Sequence, residues 1–175
     1  MTTTGFTLAY GRDTLAADLA RCELLGAIRP REMPGLADLD GTLRAAMAAP
    51  IAAPPLRQII RPGERVTVII PDITRLSRCD LFLPILIDEL SAAGVVDEAI
   101  SVLIGGGAHP AATDGEQQAL VGERLRGRVR VVAHDSQDDE SHVTLGNTSR
   151  GTPVCFDRAA LDANRIIVTG AITHH

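Results

Sequence analysis

The stretch Val66-Thr67-Val68-Ile69-Ile70-Pro71-Asp72-Ile73-Thr74-Arg75 decides the fold. Val66 to Ile70 is an unbroken β-branched run with no charged residue. Such a run suits a strand buried on both faces, as in a parallel sheet, rather than one with a wet side. Pro71 closes the run, and Asp72 to Arg75 carry the residue types of a turn. Working outward, Ile100 to Ile104, Val129 to Ala133 and Arg165 to Thr169 repeat the same short apolar pattern. Between the first two lies Ser77 to Ala93, read as a helix with Pro84 near its first turn or at a kink. Thr113 to Leu120 reads as a short helix capped by Thr113 or Asp114.

Strands and helices that alternate at this spacing build a sheet of parallel strands with helices outside it. The expected class is therefore α/β: a Rossmann-like, mostly parallel sheet flanked by helices. Upstream, Phe6 to Tyr10 and Thr14 to Leu19 flank Gly11-Arg12-Asp13 and predict an N-terminal β-hairpin. Residues 22–37 read as a loop around Pro30, Pro34 and Gly35. Asp40 is expected to cap a helix from Gly41 to Ala48, and Leu56 to Ile60 to form a helical turn before Pro62-Gly63. Residues 134–164 read as an acidic loop, a short strand from His142 to Leu145 and a helix around Asp157 to Leu161.

Composition removes several function classes. The 175 residues suit one domain. Aromatics are 2%, so the core is aliphatic and base-stacking platforms are excluded as the main binding device. A net charge of −5 with scattered basic residues excludes a nucleic-acid surface. All 17 basic residues are Arg, and there is no Lys to form a Schiff base, a P-loop or a covalent cofactor tether. Cys22, Cys79 and Cys155 have no metal-binding spacing and suit a reducing compartment. The N-terminus lacks the pattern of a signal peptide, and Leu81 to Leu90 is too short and too charged to span a bilayer. A cytoplasmic protein without a membrane partner is expected.

In open α/β sheets, ligands bind beyond the carboxyl ends of the strands. Four of the five histidines fall there: His109 after the second strand, His134 after the third, and His174 and His175 after the fourth. Asp72 and Arg75 follow the first, where an Arg fork can hold a carboxylate. Taken alone, they fit better a turn-capping Asp and a solvated Arg. Gly105-Gly106-Gly107 would let backbone approach a ligand, but the run is not G-x-G-x-x-G and lacks a P-loop lysine. His109 suits a general base, or a histidine that simply bonds its own loop. His134 and Asp135 point to opposite faces and should not pair. Asp135, Asp138, Asp139 and Glu140 read as a solvated loop, and His142 as a surface residue. A zinc site from His109, His134 and His175 is not demanded by their spacing, so no residue is assigned to a metal. The pair His174-His175 is either the native terminus or a purification-tag remnant.

At these residues the chain resembles the N-terminal part of the nickel-dependent lactate racemase family. The matching stretches are Asp72-Ile73-Thr74-Arg75, Val102-Leu103-Ile104 leading to Gly107-Ala108-His109, His134-Asp135, Thr148 to Val154, and Gly170-Ala171-Ile172 ending in His175. The resemblance implies racemisation or epimerisation of a small 2-hydroxy acid. The family's tethered nickel-pincer nucleotide takes a hydride from C2 and returns it to either face, while two histidines move the hydroxyl proton. His109 matches the first histidine and His175 the second; Arg75 matches the residue holding substrate oxygens, with Asp72 as its polar neighbour. Pro110, Leu76 and His174 depart from the family's usual residues. With no tethering lysine, the expectation is a truncated single domain over residues 1–175, lacking the cofactor-tethering segment and C-terminal domain, without covalently bound cofactor and inactive alone. The alternative is a non-catalytic module, or vestigial domain, that binds small carboxylates. Cofactor-binding residues and oligomeric state are left open.

Overall fold

The computed structural model describes residues 5–18, 21, 23, 25–26, 28–29, 31–75 and 77–172. The chain divides into two compact units, residues 1–35 and 36–175. The first holds a hairpin of β1 (Gly5–Tyr10) and β2 (Asp13–Asp18), paired antiparallel from Gly5 opposite Asp18 to Tyr10 opposite Asp13. The turn is two residues long, one shorter than the sequence suggested, because Asp13 joins the ladder. Gly11 sits at φ +61°, the positive φ such tight hairpin turns require. Leu19 and Cys22 lie outside the described residues.

The second unit is built on four parallel strands: β3 (Val66–Pro71), β4 (Ile100–Gly105), β5 (Arg130–Ala133) and β8 (Arg165–Val168). Their spatial order is β5-β4-β3-β8, so the chain winds outward from β3 and then returns to its other side. Val66, Val68 and Ile70 of β3 and Ile100, Val102 and Ile104 of β4 are all at most 1% exposed. They face α3 (Cys79–Ala92) and α4 (Asp114–Val121) through Leu83, Ile87, Leu90 and Leu120. Thr67 points the other way and its hydroxyl donates to the Ala159 carbonyl of α5 (Arg158–Leu161) at 2.8 Å. Helices on both faces of β3 explain why its sequence shows no polar alternation.

Helix α1 spans Leu39–Ala48 and α2 Leu56–Ile59, and both pack on α3. The cap of α1 is Asp38, not Asp40: Asp38 Oδ1 accepts from Gly41 N at 2.9 Å, while Asp40 pairs with Arg44 one turn on at 2.7 Å. Both are cap-forming residue types, but it is the Asp38 oxygen that reaches the third following amide. Pro84 lies inside α3 rather than in its first turn. Thr113 caps α4 in a reciprocal capping box with Glu116. Strand β6 (His142–Asn147) runs longer than expected and pairs antiparallel with β7 (Pro153–Asp157), a strand the sequence did not suggest. Among the described residues no helix is long and apolar enough to cross a membrane.

Candidate functional site

The winding of the sheet reverses between β3 and β8, and at such a point a crevice opens beyond the carboxyl ends of the strands. Asp72 follows β3 at this edge, and His109 follows the neighbouring β4. The exit of β8 is held against β3, since Thr169 donates from both its amide and its hydroxyl to the Ile69 carbonyl, at 2.9 and 3.0 Å.

Asp72 is 9% exposed and is one of two buried polar residues among those described. One carboxylate oxygen accepts the Thr74 hydroxyl at 2.6 Å, and the other makes a short contact with His109 Nδ1. These bonds, His109's first and Thr74's second, hold the Asp72 carboxyl below its ordinary range. An ionised Asp72 favours the His109 tautomer that carries its proton on Nδ1, which leaves Nε2 free as base. The His109 side chain is 54% exposed, so it is held at one end and open at the other.

Local chemistry explains the geometry. Arg75 N donates to Asp72 O at 3.1 Å, closing a tight turn that brings Thr74 back onto Asp72. His109 N donates to Gly106 O at 3.1 Å, and Gly107 at φ +58° lets that turn form where a side chain would be strained. The Arg75 guanidinium is exposed and has no side-chain partner among the described residues. It is thus available to a ligand, on the same turn as Asp72.

Of the residues singled out from sequence, Asp72 and His109 meet, and Arg75 shares the turn of Asp72. The Asp72 carboxylate meets His109 and Thr74, and its bond to Arg75 is between backbones. His175 and His174 lie outside the described residues. Thr74 was missed; its signal was the Asp-x-Thr spacing, in which a hydroxyl two residues on can reach the carboxylate. His134 and Asp135 do not pair: Asp135 Oδ1 accepts from Gln137 N, and His134 turns to Asp157. His142 is not simply a surface residue. It is half-buried, and its ring centroid lies 5.1 Å from that of His134. Cys79 is buried, which pushes its thiol pKa up, whereas Cys155 is exposed. An apolar groove of about 420 Å³, lined by Met47, Leu56, Phe82, Leu86 and Ile167 among others, includes neither Asp72 nor His109.

A parallel α/β sheet of this winding, with an Asp-anchored histidine at its carboxyl edge, defines an α/β domain with a strand-end site. Residues 10–175 match the family model described as the lactate racemase N-terminal domain, and the chain belongs to that family. It is 25% identical over 170 residues to a lactate racemase of Thermoanaerobacterium thermosaccharolyticum, covering 96% of this chain and 40% of that protein. It is 28% identical over 134 residues to a lactate racemase of Lactiplantibacillus plantarum, covering 77% of this chain and 31% of the relative. The chain thus spans two-fifths or less of the length of these relatives. The fold resembles the lactate racemase apoprotein from T. thermosaccharolyticum, with a TM-score of 0.77 at 24% identity over 94% of this chain and 38% of that one. A Thermotoga maritima protein shares the fold more loosely, at TM-score 0.58 and 18% identity, over 78% of this chain and 34% of that one.

Proposed function

We propose that this domain is the substrate-binding and acid/base part of a lactate racemase-like 2-hydroxy acid racemase or epimerase. The observation that carries the reading is the bond from Asp72 to His109 Nδ1, with Thr74 holding the second carboxylate oxygen. In this role His109 Nε2 takes the proton from the substrate's 2-hydroxyl, and Asp72 stabilises the imidazolium that results. Arg75 holds the substrate carboxylate through parallel hydrogen bonds. A base for the opposite enantiomer is also needed, and His175 is the residue the family resemblance assigns to it.

The carbon chemistry lies outside what imidazole can do. A C2–H beside a hydroxyl is too weak an acid for it, so inversion needs a hydride acceptor. In the family a nickel-pincer nucleotide supplies that acceptor when bound. Covalent capture of that nucleotide needs an amine, and all 17 basic residues of these 175 are Arg, so the capturing group is not among them. The exposed Arg75 guanidinium on the Asp72 turn also supports a second reading, a module that binds small carboxylates without catalysis.

Titration of isotope-labelled protein with L-lactate and pyruvate, followed by NMR, tests the binding reading. His109 ring signals and the Gly105 to Gly107 amides are expected to shift, and the shifts to vanish in Arg75→Ala. Identical shifts in wild type and Arg75→Ala would overturn the assignment of Arg75. Polarimetry on L-lactate separates the two readings of this chain. No turnover is expected from the chain alone, and turnover would mean that the tether is dispensable.

A further inference from the structure

We propose that His134, His142 and Asp157 form a binding site for one divalent transition-metal ion of the zinc class. This site is separate from the Asp72–His109 dyad and does not depend on the function proposed above. Three elements build it. His134 directly follows β5, where its amide donates to the Ile104 carbonyl at 3.0 Å and extends the β4–β5 ladder. His142 opens β6 and Asp157 closes β7, and the two are direct partners in the antiparallel register. Partners of that kind project their side chains from the same face of the ribbon. One donor atom from each of the three residues lies within 4.8 Å of the others.

The spacing argues for an ion rather than for a hydrogen bond. His134 Nδ1 and Asp157 Oδ2 are 3.4 Å apart. A charge-assisted hydrogen bond would draw them to about 2.7–2.9 Å. A tetrahedral ion with bonds of about 2.0–2.1 Å holds adjacent ligand atoms about 3.3 Å apart. That edge is already formed between two of the three residues. His142 completes the set by a side-chain adjustment, its ring being tilted 56° to that of His134 rather than stacked on it.

The surroundings supply the outer shell that a metal carboxylate needs. Asp157 Oδ1 accepts the Ala159 amide at 2.8 Å, which fixes the carboxylate and leaves Oδ2 turned to the histidines. The Asp157 side chain is 9% exposed and that of His134 20%. A carboxylate this enclosed, whose second oxygen lacks a tight partner, is costly to leave uncompensated. Two imidazoles and one carboxylate suit zinc, cobalt(II) or nickel(II), whereas calcium and magnesium require mostly oxygen ligands. Three protein ligands leave a fourth position for water or a small anion.

The test is a zinc sulfate titration of the whole chain after chelator treatment, read against a chromophoric competitor and by histidine ring NMR. One zinc ion per chain is expected, with ring signals of His134 and His142 shifting and those of His109 unmoved. Asp157→Asn and His142→Gln should each weaken binding at least tenfold. Asp157→Asn keeps the oxygen that caps α5, so it tests the site without removing the cap. A His174→Ala/His175→Ala variant should retain the site. The proposal is overturned if zinc does not bind at micromolar concentration. It is equally overturned if folded Asp157→Asn binds as wild type does, or if removing the terminal histidine pair alone abolishes binding.

Discussion

Among the described residues aspartate meets histidine twice, and the two meetings are built alike up to the last bond. In each, one carboxylate oxygen is held by a donor two residues on: Thr74 Oγ1 for Asp72 and the Ala159 amide for Asp157. In each, the other oxygen faces a histidine Nδ1. At Asp72 the contact is short and involves one histidine, whose far nitrogen is exposed. At Asp157 the contact is 3.4 Å and a second imidazole stands beside the first. A tight dyad polarises one imidazole and presents a base. A looser pair with a second imidazole leaves three donor atoms within 4.8 Å of one another, the spacing that the proposed ion would use. The same residue types thus meet in two geometries, one a short contact and the other 3.4 Å, and the two proposals rest on that difference.

Three measurements put this contrast to the test. The largest effect is expected at Ile104, which serves both sites. It is 1% exposed, its carbonyl receives His134, and the chain runs from it into the His109 loop. Ile104→Ala should cost about 2–5 kcal/mol in urea unfolding. It should also disturb His109 and His134 signals together; a variant that disturbs only one would mean the sites do not share a frame.

Next is the acid limb of stability. The folded-state pKa of Asp72 is depressed, chiefly by His109 and then by Thr74. Its contribution is therefore present above the ordinary carboxylate pKa of about 3.9 and is lost as pH falls below that value toward the folded pKa. Asp72→Asn should cost about 1.5–3 kcal/mol near neutral pH, as expected for losing hydrogen bonds to a charged group. The wild-type advantage should disappear in acid. An advantage of constant size down to pH 2 would show that the Asp72 charge plays no part.

The smallest effect belongs to Asp157→Asn, where the amide oxygen can still accept from Ala159. A change below about 0.5 kcal/mol is expected in thermal unfolding, since capping strength differs little between Asn and Asp. A loss as large as that of Asp72→Asn would mean that the Asp157 charge is as tightly engaged as that of Asp72, and the contrast would fall.

Much of the frame was legible beforehand because its signals are local. The runs Val66–Ile70 and Ile100–Ile104 read as buried strands, and they form the sheet centre. The cap read as Thr113 or Asp114 is Thr113, which forms a capping box. What failed was also local. Asp38 and Asp40 are both good caps by type, and only the path of the first turn chose between them. β7 begins with Pro153 and is mostly exposed, so nothing in its own pattern marks a strand; it exists because β6 lies alongside it.

By itself, then, the sequence determined the parallel sheet, the aliphatic core, the lack of any amine side chain and the placing of Asp72, Arg75 and His109 at strand ends. Those features follow from residue type and spacing along the chain. Tertiary structure alone decided which histidine meets which aspartate. His109 lies 37 residues from Asp72, and His134 lies 23 from Asp157. Across such gaps, partnership is set by strand order and register, through pairings whose energy belongs to the packed sheet and not to any short stretch of chain. His134 stands next to Asp135 in sequence, yet a strand end turns neighbouring side chains apart, and the folded sheet hands it to Asp157.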